Sequence, residues 1–151
     1  MSTPLLQYRL QGKENYRLGE PLIIEFVLEN LSKQNIWVLT WYTPLEGLKG
    51  KIFEVTCDGK PVPYEGIMAK RGNPRGEDYI LIPSNEAVSA TVDLSKAYKI
   101  QQSDECQVKF KGRIHDFSST EDVVPKENAR HNSLNIPGNV VSFRIADSEP
   151  Q

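Results

Sequence analysis

The chain has 151 residues, 18 basic against 20 acidic side chains for a net charge of −2, and 38% hydrophobic and 25% charged residues. A chain of this size can bury about 69% of the surface it exposes when extended, enough for one domain with its own core. The composition excludes a disordered chain, the balanced charge gives no bulk attraction to nucleic acid or an anionic membrane, and no apolar run approaches the ~20 residues that span a bilayer.

The dominant hydrophobic period is two, the signature of half-buried strands. Leu6, Tyr8 and Leu10 point inward in the first segment. In Leu22-Ile-Ile-Glu-Phe-Val-Leu-Glu, Leu22, Ile24, Phe26 and Leu28 share one face, and Glu25 and Glu29 take the other. Ile36-Trp-Val-Leu-Thr-Trp-Tyr is apolar on both faces. Sandwich folds that bury a third-strand Trp favour Trp37, Leu39 or Trp41 in the core, with Ile36, Val38 and Thr40 outward under a cover. Lys51-Ile-Phe-Glu-Val-Thr-Cys then runs into Asp58-Gly59, a hairpin signal, because a type I′ turn needs positive φ at both central residues. Pro61 and Pro63 cannot donate ladder hydrogen bonds, so the return strand belongs at a sheet edge.

A short strand is predicted over Tyr79 to Ile82. Val88, Ala90, Val92 and Leu94 face inward in the next, followed by one helical turn over Asp93-Leu-Ser-Lys-Ala-Tyr. Cys106, Val108 and Phe110 face inward opposite Gln107, Lys109, Lys111 and Arg113, and Val141, Phe143 and Ile145 do so in the last strand. Turn signals separate seven to nine short strands, which reads as an all-β, immunoglobulin-like antiparallel β-sandwich spanning 1–151 as a single domain. Two stretches exceed a minimal sandwich: Thr43 to Gly50 with Met68 to Asp78, and His115 to Gly138. The second is polar and aperiodic, and a flexible loop is expected at about 116–138.

Catalytic motifs are absent. The two histidines, His115 and His131, are in no H-E-x-x-H, and there is no G-x-S-x-G, P-loop or G-x-G-x-x-G. No catalytic residue, metal site or cofactor is therefore expected. His115-Asp116 beside Ser118-Ser119 reads as a solvated strand end rather than a triad. Lys109, Lys111 and Arg113 form a cationic stripe. It reads either as an anion or acidic-partner site or, the preferred reading, as a solvated face balanced by Glu25, Glu29 and Asp93 on neighbouring strands. Cys57 and Cys106 either bridge the two sheets or remain two small buried thiols. The segment Met1-Ser-Thr-Pro-Leu-Leu-Gln-Tyr-Arg has no basic and apolar signal regions, so a cytoplasmic location is the default expectation unless a signal was trimmed, and free thiols are favoured. On that reading the sequon Asn30-Leu31-Ser32 carries no meaning.

The aromatic region is the most informative for binding. Trp41, Tyr42, Pro44 and Leu45 lie in a connection with no strand period, and Met68, Arg71 and Tyr79 flank a Gly- and Pro-shaped polar excursion. These are residue types that interfaces enrich, on loops that a sandwich holds rigidly. They form the candidate partner-binding set; the competing reading has these loops packing on one another over the third strand.

Glu25-Phe-Val-Leu-Glu-Asn-Leu-Ser, Trp41-Tyr-Thr-Pro-Leu-Glu-Gly-Leu, Ile52-Phe-Glu-Val-Thr-Cys-Asp-Gly-Lys-Pro-Val-Pro-Tyr-Glu-Gly and Ser84-Asn-Glu-Ala-Val-Ser-Ala-Thr-Val-Asp-Leu-Ser-Lys-Ala-Tyr together carry a resemblance. Over about Leu5 to Ile114 the chain resembles the non-catalytic domain that precedes the catalytic domain of deuterolysin-like, peptidyl-Lys metalloendopeptidases. The family pattern continues into a zinc peptidase domain with H-E-x-x-H and a further Asp ligand, and neither is present in these 151 residues. Ser84-Asn85 also stands where the family has Pro-Gly, although Asn tolerates left-handed backbone. The resemblance implies the fold and a peptidase-associated role without peptidase activity. The expected function is a protein-binding module, propeptide-like, inhibiting or regulating a protease, as monomer or weak dimer, with no nucleic acid or membrane partner. The alternatives are an accessory domain of a metallopeptidase whose catalytic part is absent, and a structural or adhesive domain with no defined partner.

Overall fold

The computed structural model describes residues 4–119 and 133–146. In chain order its strands are β1 (Leu6–Gln11), β2 (Asn15–Arg17), β3 (Ile23–Asn30), β4 (Ile36–Leu39), β5 (Phe53–Cys57), β6 (Lys60–Pro61), β7 (Tyr79–Ile82), β8 (Ala87–Asp93), β9 (Ser103–Phe110), β10 (Arg113–Ile114), β11 (Phe117–Ser118), β12 (Leu134–Asn135) and β13 (Val141–Ala146). Eight of these have four residues or more, within the range the sequence predicts; the others are two- or three-residue pairings. Single 3-10 turns occur at Pro44–Glu46, Gly76–Asp78 and Leu94–Lys96.

The strands build an immunoglobulin-like β-sandwich. One layer is β1-β3-β8, and the other is β2-β13-β9-β5-β6, antiparallel except for the β2–β13 pair. The alternating segments bury the faces their period predicts. Leu6, Tyr8 and Leu10 of β1 and Ile24, Phe26 and Leu28 of β3 meet Val108 and Phe110 of β9 and Phe143 and Ile145 of β13 in one apolar cluster. Phe110 is its hub, with ring centroids 5.1 Å from Tyr8, 5.2 Å from Phe26 and 6.1 Å from Phe53. Asp58 (φ 50°) and Gly59 (φ 79°) both take positive φ in the β5–β6 turn, and β6 lies at the sheet edge. Asp93 caps the 3-10 turn at Leu94–Lys96, accepting from the Ser95 N–H.

The β11-β4-β7 sheet continues the first layer. The β3–β8 ladder runs from Ile23↔Asp93 to Glu29↔Ala87, and the β4–β7 ladder takes it up again from Ile36↔Ile82 to Leu39↔Tyr79. The connections 31–35 and 83–86 loop out between the two ladders. Asn30 closes this gap: its amide donates to the carbonyls of Gln34 and Ile82, both at 2.8 Å, and its Oδ1 accepts from the N–H and hydroxyl of Ser32. Asn30 is 1% exposed, so the sequon is a buried turn lock and offers no amide for glycosylation. Asn85 does take left-handed backbone, φ 61°, in the turn closed by the Glu86 N–H on the Pro83 carbonyl.

Several expectations are corrected. Cys57 and Cys106 are disulfide-bonded. The bridge joins neighbouring strands of one sheet rather than the two layers, because β5 and β9 pair with Cys57 opposite Cys106, Cα atoms 4.0 Å apart. The Asp58 N–H bonds the Glu105 carbonyl one position on, so the cysteines occupy a non-hydrogen-bonded pair, where facing side chains come closest. On β4, Ile36 and Val38 are core residues and Leu39 is buried as predicted, whereas Trp37, and Trp41 beyond the strand, are half-buried. Pairing with both β7 and β11 sets that parity, which a doubly apolar strand leaves ambiguous. The acids expected to balance the cationic stripe lie in the opposite layer; Lys109 instead faces Glu54 on β5. Within the stretch 116–138, β11 and β12 occupy the two ends and Ile136 is buried. His131 and the middle of that stretch lie outside the described residues.

A candidate partner-binding surface

Beyond the β4–β7 end of the sandwich, three irregular segments meet: the connection 40–50, the excursion 62–78 and the link 111–118 from β9 to β11. Side-chain and backbone hydrogen bonds shape the first. Thr40 donates through both its N–H and hydroxyl to the Asp78 carbonyl. Thr43 is fully buried, its hydroxyl donates to the Thr40 carbonyl at 2.7 Å, and the same oxygen caps the 3-10 turn by accepting from the Leu45 N–H. Pro44 suits the first position of that turn, where its missing N–H costs nothing. Gly47 ends it at φ 91°.

This geometry forces Tyr42 to φ 62°, a left-handed conformation unfavourable for an aromatic residue. Glu46 compensates: its Oε2 accepts the Tyr42 N–H at 2.7 Å and the Arg71 Nη2 at 2.5 Å. The Glu46 and Arg71 side chains are only 11% and 16% exposed, so the pair is largely desolvated. The Arg71 guanidinium carbon also lies 4.8 Å from the Trp41 ring centroid and 5.3 Å from that of Tyr42. The Tyr42 ring also meets His115, centroids 4.5 Å apart. Burial first, and Arg113 second, hold the His115 imidazole below its ordinary pKa.

Of the predicted partner-binding residues, Trp41, Tyr42 and Arg71 are brought into one contiguous cluster. Pro44 is buried, and Leu45 packs on the edge of the core. Tyr79 is 6% exposed, so it is no surface contact, and its hydroxyl donates at 2.5 Å to the carboxylate of Asp116, which is buried rather than part of a solvated strand end. Met68 stands apart at 72% exposure, beside Ile67 at 65%. Sequence reasoning passed over Glu46, although Thr43-Pro-Leu-Glu46 matches the Ser/Thr-x-x-Glu pattern of helix starts and was legible. It also passed over His115 as a packing partner, which had no sequence signal.

The described residues thus make a disulfide-bonded all-β sandwich with a polar, aromatic cap over one end. Among them no group of three or more His, Cys, Asp or Glu could hold a metal ion, and no helix is long and apolar enough to cross a membrane. No family model matches the chain. It is 25% identical over 87 residues to an extracellular protease of Aeromonas hydrophila, a match covering 58% of this chain and 25% of that protein. The chain therefore spans about a quarter of the length of the curated relative it matches. Among solved structures, the CARDB domain of a Pyrococcus furiosus protein, crystallised with di-metal ions, aligns over 95% of this chain and 94% of its own at 11% identity and a TM-score of 0.41. The solution structure of that domain aligns over 99% and 100% at 12% identity and a TM-score of 0.39.

Proposed function

We propose that this chain is a non-catalytic module that works beside a secreted protease, binding it as a propeptide-like regulator of the deuterolysin-like kind. The observation that carries this reading is the 87-residue similarity to an extracellular protease. The disulfide between Cys57 and Cys106 supports an oxidising compartment in place of the cytoplasmic default. Within this reading the protease contacts the Trp41–Arg71 cluster and the exposed Ile67–Met68 tip. The cluster is rigid, and the tip offers apolar area at the surface.

The test is capture of secreted proteins from culture medium on the immobilised chain, followed by titration of any captured protease with free chain on a casein substrate. Regulation requires saturable inhibition or activation at near-equimolar chain, weakened at least tenfold by Met68→Ala or Trp41→Ala without loss of folding. The second reading is an accessory domain of a longer protease, which the short share of the relative's length favours. It is the better one if a protease is captured and its activity is unmoved.

A further inference from the structure

We propose that the cleft between the start of β5 and strand β10 binds a tetrahedral dianion, a phosphate or sulfate group. The cleft holds about 380 Å³ and is lined by Lys51, Lys111, Arg113, His115, Tyr42 and Asn135 around a floor of Ile52. No acidic side chain lines it, in a chain whose overall charge is negative. Among the described residues, none of the three cations makes an ion pair. Lys111, Arg113 and His115 alternate with the buried Gly112, Ile114 and Asp116, and all three line the cleft. The link is held at both sides: the Lys111 N–H bonds the Ile52 carbonyl at 3.0 Å, which sets Lys51 beside it, and Arg113 pairs with Asn135. Gly112 makes the close approach feasible, at φ 78° with space for a Cβ only 3.0 Å from the Ile136 carbonyl. The His115–Tyr42 pair forms the wall, and Tyr42 is itself fixed through Glu46.

Gathering three cations without counter-charge is unfavourable, and a bound anion reverses the sign of that interaction. A carboxylate would compensate one of the three. A phosphate or sulfate group carries up to two charges and enough oxygens for the Arg fork and two ammonium groups together. The cleft takes one such group rather than a polyanion track, since it has a single aromatic wall and no run of stacking platforms. The same chemistry comes from a free ion or from a phosphate monoester on a sugar. This inference is independent of the protease reading.

The experiment is NMR titration of the full chain at low salt with inorganic phosphate, inorganic sulfate, acetate and glucose 6-phosphate. Phosphate and sulfate should produce saturable shifts centred on Lys51, Lys111, Arg113 and His115. Lys111→Gln and Arg113→Gln should each weaken binding about tenfold, and Lys109→Gln, opposite Glu54 and outside the cleft, should leave it unchanged. Tighter binding of the sugar phosphate at the same residues identifies a phosphate monoester as the source, and equal binding identifies the free ion. The proposal is overturned by the absence of saturable shifts with either dianion, by acetate binding as tightly, or by an equal loss in Lys109→Gln, which would mean diffuse attraction.

Discussion

The sandwich body and the cap over its β4–β7 end are held together by different physics. The body is specified by alternation: β1, β3, β5, β9 and β13 contribute alternate side chains to one apolar cluster, and burial of that surface holds it with little demand on particular partners. The cap has no period. It depends on a few polar contacts whose members come from three separate segments, with Glu46 serving Tyr42 and Arg71 at once, Tyr79 donating to Asp116, and Thr43 tying the connection to itself. A body of this kind tolerates local error, since many contacts share the load. A cap of this kind fails when one partner is removed, because the other is left desolvated and unpaired.

The largest expected effect is in the body. Phe110→Ala removes the ring that touches Tyr8, Phe26 and Phe53, and should cost about 3–5 kcal/mol in denaturant unfolding, seen equally by probes in both layers. A loss confined to one layer would break the picture of a single shared core. Next is the disulfide, which closes a span of 49 residues. Replacing both cysteines with alanine should cost about 2–4 kcal/mol, and the denatured, unreduced native chain should titrate no thiols. Two thiols would remove the bridge and the oxidising compartment with it.

The cap sharpens the contrast at a smaller scale. Arg71→Ala should cost about 2–3 kcal/mol, because it strands the buried Glu46 carboxylate. Hydrogen exchange should accelerate over 40–50 and 62–78 while β3 and β9 keep their protection. Uniform acceleration would show that cap and body are one cooperative unit. The smallest effect is on pH dependence. The folded chain holds the His115 pKa below the unfolded value, so the neutral form is favoured on folding. Its contribution is complete above the unfolded pKa of about 6.5 and is lost as pH falls through the folded one. His115→Gln should therefore flatten the decline in stability from pH 7 to pH 5, checked by urea melts across that range.

What the sequence determined by itself follows from this division. Period two is a local property, so the inward faces of β1, β3, β9 and β13 and the type I′ turn at Asp58-Gly59 could be read from neighbouring residues alone. The same holds for the single helical turn that follows β8. Tertiary structure decided whatever depended on which strands are neighbours. Parity shows that Cys57 and Cys106 both point inward, but only the pairing of β5 with β9 sets them face to face. A strand apolar on both sides, such as Ile36–Leu39, takes its core face from the ladders it joins, so Trp37 stays half-buried while Ile36 and Val38 go in. Of the candidate surface, residue type pointed to Trp41, Tyr42 and Arg71. Their convergence with Glu46 and His115 arises from contacts up to 73 positions apart in sequence, between Tyr42 and His115, and long-range contacts of that kind leave no period in the chain.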